Sequence, residues 1–251
     1  MKNDQPGTGY SHDYKRSGFD WRVAEAVAGA LGKLPQYEDV PSQDRQVVLD
    51  GKHGIDLVVA TYSINNERLQ GTNGLPAHDF AGPYAVTYQG FLVLAKGPQV
   101  RTLDDLAGKK VCTWSGTTST RVVDKRTTGM VSYQAPTASQ CVEDLKSGQA
   151  AAVSTDQMIL YGFTQLYPEL TVVPNLHIGE AQYYGIGIPK GNRSECQKIK
   201  EKLKNYVKTA AWSQDFSIEL SSIVAADPNW QSHYRPSETD IDTFSCRDRV
   251  G

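Results

Sequence analysis

Residues 55–68 read IDLVVATYSINNER: a nearly continuous apolar run that turns polar at Thr61 and then opens a short charged segment. An apolar run without alternation is what a strand covered on both faces requires, so IDLVVA predicts a strand over 55–60. Ser63 stands where the N-cap of a following helix over 64–70 belongs, since its hydroxyl could take one of the free amide protons of the first turn. The same strand–turn–helix rhythm recurs on either side. FDWRVAEAVAGALG (19–32) carries Val23, Val27 and Leu31 at helical spacing and ends on Gly32. GFLVLA (90–95), KKVCT (109–113), VSYQA (131–135), AAAVS (150–154) and YYGIGI (183–188) read as strands. Helices are expected over 139–147 and 194–212, and Thr102 with Asp105 marks a capped turn. This alternation predicts an α/β fold with largely parallel sheets. The last forty residues, with Pro228, Trp230 and Pro236, have weak periodicity and predict a tail laid over the surface.

The chain has 251 residues, long for one core and suited to two lobes of roughly 100 to 150 residues each. A formal charge of -2 gives no reason to expect nucleic acid or an anionic membrane as a partner. No apolar run approaches the roughly 18 residues needed to span a bilayer. The opening Met-Lys leads directly into a loop-like stretch, which reads as a chain whose export segment has been removed. The four cysteines, Cys112, Cys141, Cys196 and Cys246, lack zinc-ligand spacing; an even, widely spaced set fits two disulfides in an oxidising compartment. Spacing leaves three pairings open. If GFLVLAKG and YYGIGIPKG both run between lobes, residues 88–186 form an inserted second lobe. The first lobe is then assembled from 1–87 and 187–251.

Five stretches in order, IDLVVATYSINNER, GPY (82–84), LAGKKVCTWSGTTST (106–120), STDQMIL (154–160) and YYGIGIPKGN (183–192), carry a resemblance over nearly the whole chain. The sequence resembles the amino-acid-binding proteins of ABC importers, two-lobed solute-binding proteins of the "Venus flytrap" type, and its wording is most similar to the actinobacterial glutamate/glutamine-binding branch. The resemblance implies a periplasmic-binding-protein-like fold: two lobes, each a mostly parallel sheet flanked by helices, joined by two crossing strands near 86–91 and 184–188. It implies an extracytoplasmic receptor, secreted or anchored at the outer face of the membrane. Such a receptor captures a polar or acidic amino acid such as glutamine or glutamate and passes it to a membrane permease, as a monomer without cofactor or metal. A sensing ectodomain of a receptor or kinase uses the same fold and is the alternative.

A zwitterion dictates the chemistry of the site, because burying either of its charges unpaired is costly. Arg68 offers a planar fork for an α-carboxylate, and the resemblance assigns it that role. Thr61 and Ser63 lie at the strand end with hydroxyls and free amides. Thr117 and Thr118 open a helix after Gly116, where small residues let the backbone approach an anion, and the resemblance turns Thr118 toward the carboxylate. Asp156, at the end of a strand, is the expected partner of the α-ammonium. Gln5, Tyr62 and Tyr184 are the expected side-chain pocket, with Asp4 and Gln89 as further candidates. The first loop, NDQPGTG (3–9), lacks the aromatic that many relatives stack on the ligand unless Tyr10 folds back. Lys15 and Arg16 read as a solvated turn. No GxSxG, HExxH or GxxxxGK[ST] occurs and the five histidines are scattered, so no enzyme is expected; Glu67 and Asp156 are the only carboxylates that could serve as a general acid. Within the lobes so assigned, Cys112 pairs with Cys141 and Cys196 with Cys246.

Overall fold

The computed structural model describes residues 1–72, 74–125 and 129–251. The chain opens with a small antiparallel sheet of β1 (Asp4–Gln5), β2 (Gly9–His12) and β3 (Lys15–Ser17), followed by α1 (Phe19–Ala30). After α2 (Asn66–Gln70) comes the 17-residue strand β4 (His78–Leu94). Then follow β5 (Lys110–Trp114), α3 (Thr118–Lys125), β6 (Val131–Ala135), α4 (Ala138–Lys146), β7 (Ala152–Asp156), α5 (Gln157–Leu166), β8 (Leu170–Val172) and β9 (Ile178–Pro189). Helices α6 (Arg193–Lys208), α7 (Ala210–Glu219), α8 (Ser221–Ala226), α9 (Trp230–Tyr234) and α10 (Glu238–Phe244) complete it.

The fold is two-lobed, and β4 and β9 are the strands that join the lobes. They pair antiparallel from His78↔Pro189 to Gln89↔Ile178, with register shifts between Ala81 and Ala85 and between Thr87 and Gln89. At one end of this ribbon β7 pairs antiparallel with Gln89–Leu92 of β4, and β5 continues the sheet in parallel with β7 and β6. At the other end, residues 58 and 63 bridge Gly187 and Tyr184 of β9. Adjacent residues of the second-lobe strands enter different cores: Leu92, Cys112 and Val153 pack with Trp114, Leu145 and Phe163, while Phe91, Val111 and Ala152 pack with Leu106 and Val123. Both faces are covered, which is why these strands read as unbroken apolar runs. The disulfides are Cys112–Cys141, from β5 to α4, and Cys196–Cys246, from α6 to the residues after α10, as expected.

Several local expectations are corrected. Residues 55–60 do not form a ladder strand: only Val58 bridges, and Thr61 takes φ 46°, which turns the chain out of extended geometry. Ser63 does not cap α2. Asn65 does, its side chain accepting from Arg68 N at 3.0 Å. The strand expected at 90–95 begins at His78, hidden in the sequence by buried polar residues (His78, Asp79, Thr87, Gln89) and by Gly82-Pro83. The strand expected at 150–154 runs two residues later, to Asp156. The long helix expected over 194–212 breaks at Thr209, whose ψ of 168° is extended. The C-terminal stretch is not a surface tail: Trp230 and Tyr234 pack on Phe216, which with Trp212 and Phe19 forms an aromatic cluster. Such short helices draw their stability from packing rather than from propensity, so periodicity did not reveal them. At Thr102 the expected cap is present, with the Asp105 carboxylate accepting from the Thr102 amide at 2.9 Å.

Candidate functional site

Where the lobes meet, Gln5, Ser42, Arg45, Thr61, Ser63, Arg68, Thr117, Thr118, Ser119, Thr155, Asp156 and Ile159 line a small cavity of about 10 Å³. Seven of the nine expected site residues are therefore brought together, Gln5 with six others that lie between Thr61 and Asp156 in the sequence. Tyr62 and Tyr184 are not in the lining; they stand directly behind it. The Tyr62 ring lies under both guanidinium groups, 4.3 Å from Arg68 Cζ and 4.9 Å from Arg45 Cζ. The Tyr184 hydroxyl donates to Asp156 Oδ2 at 2.6 Å.

Arg68 projects from α2 and is 7% exposed. It donates to Ser63 O at 2.6 Å and to Gly116 O at 3.3 Å. Arg45 lies in the loop after Val40 and is 2% exposed. It donates to the carbonyls of Ser42 (3.0 Å), Ala60 (2.7 Å), Thr61 (2.9 Å) and Gly116 (2.8 Å). Burial lowers both pKa values, Arg68 to about 10 with the Arg45 charge adding to the shift, yet both remain charged at neutral pH. Their hydrogen-bond partners are carbonyl dipoles, not carboxylates.

Asp156 is the carboxylate of the cavity. Burial pushes its pKa up to about 6, against the pull of the Tyr184 hydrogen bond and of the two arginines. Its Oδ1 is buried and has no hydrogen-bond partner, and neither has Ser42 Oγ. Two buried cations therefore face one carboxylate with a free acceptor, an arrangement open to one further anionic group and one further donor.

The other expected residues hold the frame. Thr61 Oγ1 lies 3.0 Å from Gln5 Oε1, and the Thr61 amide donates to Asp20 Oδ2 at 2.7 Å. Thr117 Oγ1 donates to Trp114 O and Thr118 Oγ1 to Gln182 Oε1, at 2.8 and 3.0 Å. Gln89 is outside the lining and donates to Ser119 O and Ser154 Oγ, fixing the first turn of α3 to β7. Asp4 pairs with Lys2 and accepts from the Ala138 amide, so it bridges the lobes away from the cavity. Tyr10 stacks on His12, Arg16 pairs with Asp39, Lys15 is exposed, and Glu67 pairs with Arg121 at the rim. Arg45, Ser42, Ser119, Thr155 and Ile159 were missed. Arg45 had almost no signal: in SQDRQVVL (42–49) it reads as one of two adjacent loop charges. Ser119 and Thr155 lie inside the two motifs already singled out. Among the described residues no group of three or more His, Cys, Asp or Glu could hold a metal ion.

A two-lobed α/β protein with a buried, charged cleft between lobes joined by two strands belongs to the class of solute-binding proteins. The model of the bacterial extracellular solute-binding proteins, family 3, matches residues 1–215, and the chain belongs to that family. It is 33% identical to the glutamate-binding protein of Corynebacterium glutamicum over 216 residues, covering 81% of this chain and 71% of that one. The glutamine-binding protein GlnH of Bacillus subtilis is 30% identical over 191 residues, covering 74% and 66%. Among solved structures, an ancestral arginine-binding protein bound to arginine superposes with a TM-score of 0.76 at 27% identity, covering 87% and 95%. The solute receptor for L-cysteine of Neisseria gonorrhoeae, at 19% identity and a TM-score of 0.81, shares the fold.

Proposed function

We propose that the protein captures a free polar or acidic amino acid in the cleft outside the cytoplasm and delivers it to an ABC importer, without altering it chemically. The observation that carries this reading is the charge balance of the cavity, two buried guanidinium groups facing one carboxylate with an unpartnered oxygen. An α-ammonium fits Asp156 Oδ1, and an α-carboxylate fits the fork of Arg68. That leaves Arg45, with Ser42, for the ligand's other end, which favours an acidic side chain. Thr61, Ser63, Thr117 and Thr118 supply hydroxyls and amides around it, and Gln5 reaches the side-chain end. The names of the glutamate- and glutamine-binding relatives support the same class.

A space of about 10 Å³ holds roughly one water, so an amino acid enters only when the lobes part. The moving bodies in this reading are residues 1–87 with 187–251, and residues 88–186. Binding then favours closure because the cations and Asp156 come from different lobes. A thermal-shift screen of the twenty amino acids tests the proposal. A true ligand at about 100 times its Kd adds roughly 2.7 kcal/mol, and glutamate and aspartate are expected to lead. No shift with any amino acid would defeat the reading, and a shift with lysine or leucine alone would defeat the acidic preference.

A further inference from the structure

Arg68 sits on α2, a helix of only five residues. A helix this short is not stable on its own propensity, so its position is set by what holds it from outside. Two such holds are present, one at each end, and both lead to residues 245–250, the segment that follows α10.

At the start of the helix, the side-chain amide of Asn66 donates to Val250 O at 2.7 Å and accepts from the Val250 amide at 2.8 Å. One bond in each direction is what a neighbouring strand would exchange with Val250. Val250 also packs against the apolar cluster of Ile64, Leu69 and the Tyr62 ring that lies beneath Arg68. At the end of the helix, Lys190 Nζ donates to Leu69 O at 3.2 Å, one of the carbonyls that a helix terminus leaves open. The same ammonium donates to Asp248 Oδ1 at 2.8 Å, and Asp248 accepts from Arg193 as well.

The segment is itself tied to the rest of the first lobe. The buried Ser245 brackets Gly82 of β4, its hydroxyl accepting from the Gly82 amide at 2.9 Å and donating to Gly82 O at 2.8 Å. The Cys246 amide donates to Phe80 O at 2.7 Å, and the disulfide to Cys196 joins the segment to α6. Residues 245–250 therefore run from a strand that joins the lobes to the helix that carries Arg68.

We propose that residues 245–250 are a positioning strap for the cleft. Through Asn66 and Lys190 they hold α2 in the attitude that presents Arg68 to the ligand, and Cys196–Cys246 anchors the strap. Asn66 and Val250 touch no ligand and act through Arg68. Their effect on binding rests on the reading of Arg68 as the partner of the α-carboxylate.

The test uses Asn66→Ala and Val250→Pro in the full chain. The first removes both side-chain bonds, and the second removes the amide donor from the strap without touching α2. In the protein without added amino acid, each variant is expected to speed amide exchange of Arg68 and Leu69 by at least about tenfold. Affinity for glutamate and for glutamine should fall by a similar factor of about tenfold, equally for both, because the α-carboxylate is common to them. In the Arg68→Ala background Asn66→Ala should cost nothing further, since residues acting through one group are not additive. Unaltered exchange of Arg68 and Leu69 in both variants would overturn the strap. So would an affinity loss that persists undiminished once Arg68 is gone. Faster exchange together with a wild type that binds no amino acid would support the strap's hold on α2 and defeat the reading of the cleft instead.

Discussion

Asp20 and Asp156 occupy matching positions on either side of the connecting ribbon. Each accepts a tyrosine hydroxyl at 2.6 Å, Asp20 from Tyr84 on β4 and Asp156 from Tyr184 on β9, and the two rings lie 6.1 Å apart. Burial pushes both carboxyl groups up to about 6 from 3.8. The protonated forms are the ones the fold prefers, because the folded state binds these protons more tightly than the unfolded chain does. Their contribution to stability is thus full below about pH 4 and falls as pH rises to about 6, by on the order of 3 kcal/mol per group. Without added amino acid, the part of the pH–stability curve removed by Asp156→Asn or Asp20→Asn should fall between pH 4 and 6. Chemical denaturation at several pH values checks this, and an unchanged difference between wild type and both variants across that range would contradict it.

Ligand affinity should move the opposite way. An α-ammonium pairs with the ionised Asp156, so binding is expected to weaken as pH drops from 7 to 5. Calorimetric titration at both values checks it, with Asp156→Asn weak and nearly flat.

The two arginines should differ in what their loss does. Removing one partner of a buried charge pair costs about 3 to 5 kcal/mol, so Arg68→Ala is expected to lose roughly 10²- to 10³-fold for every ligand. Arg68→Lys should also bind poorly, since an ammonium cannot reproduce the two-pronged contact. Arg45→Gln should weaken glutamate far more than glutamine. A titration matrix of variants against both amino acids measures this, and an equal loss for both would remove Arg45 from the side-chain end.

Gly116 sets how closely the lobes approach. It has φ 77°, and a Cβ there would lie 2.4 Å from Gln43 Cα. Gly116→Ala is expected to keep the fold but to lose at least about tenfold in affinity, corresponding to 1.4 kcal/mol. Small-angle scattering should show that it no longer compacts on binding.

Removing Cys112–Cys141 or Cys196–Cys246, which span 29 and 50 residues, should each lower stability by about 3 to 4 kcal/mol in the chain-entropy model. Denaturant titration of the paired alanine variants measures it.

The second lobe was legible because its strands are buried on both faces and its helices carry strong stripes and caps, as at Thr137 and Thr102. The ribbon was half legible. Its apolar end showed, whereas the end with His78, Asp79 and Thr87 looked like loop because polar groups rarely sit in so dry a place. In the cleft, Arg68 and Asp156 stand at strand and helix ends, where open α/β sheets expose their sites. Arg45 comes from an irregular loop and was found only by its burial. Tyr62 and Tyr184 were expected to touch a ligand and instead stand behind the charges, Tyr62 under the two guanidinium groups and Tyr184 bonded to Asp156.

The arginines of the cleft are held by carbonyls and an aromatic ring alone. Asp156 is one carboxylate facing two cations in that lining, so positive charge is left over and small anions compete for the same place as an amino acid. Citrate or sulfate in the assay buffer should weaken the apparent affinity in proportion to its own occupancy, while a zwitterionic buffer too bulky for the cleft should not. The choice of counterion therefore becomes a measurement of the site in its own right.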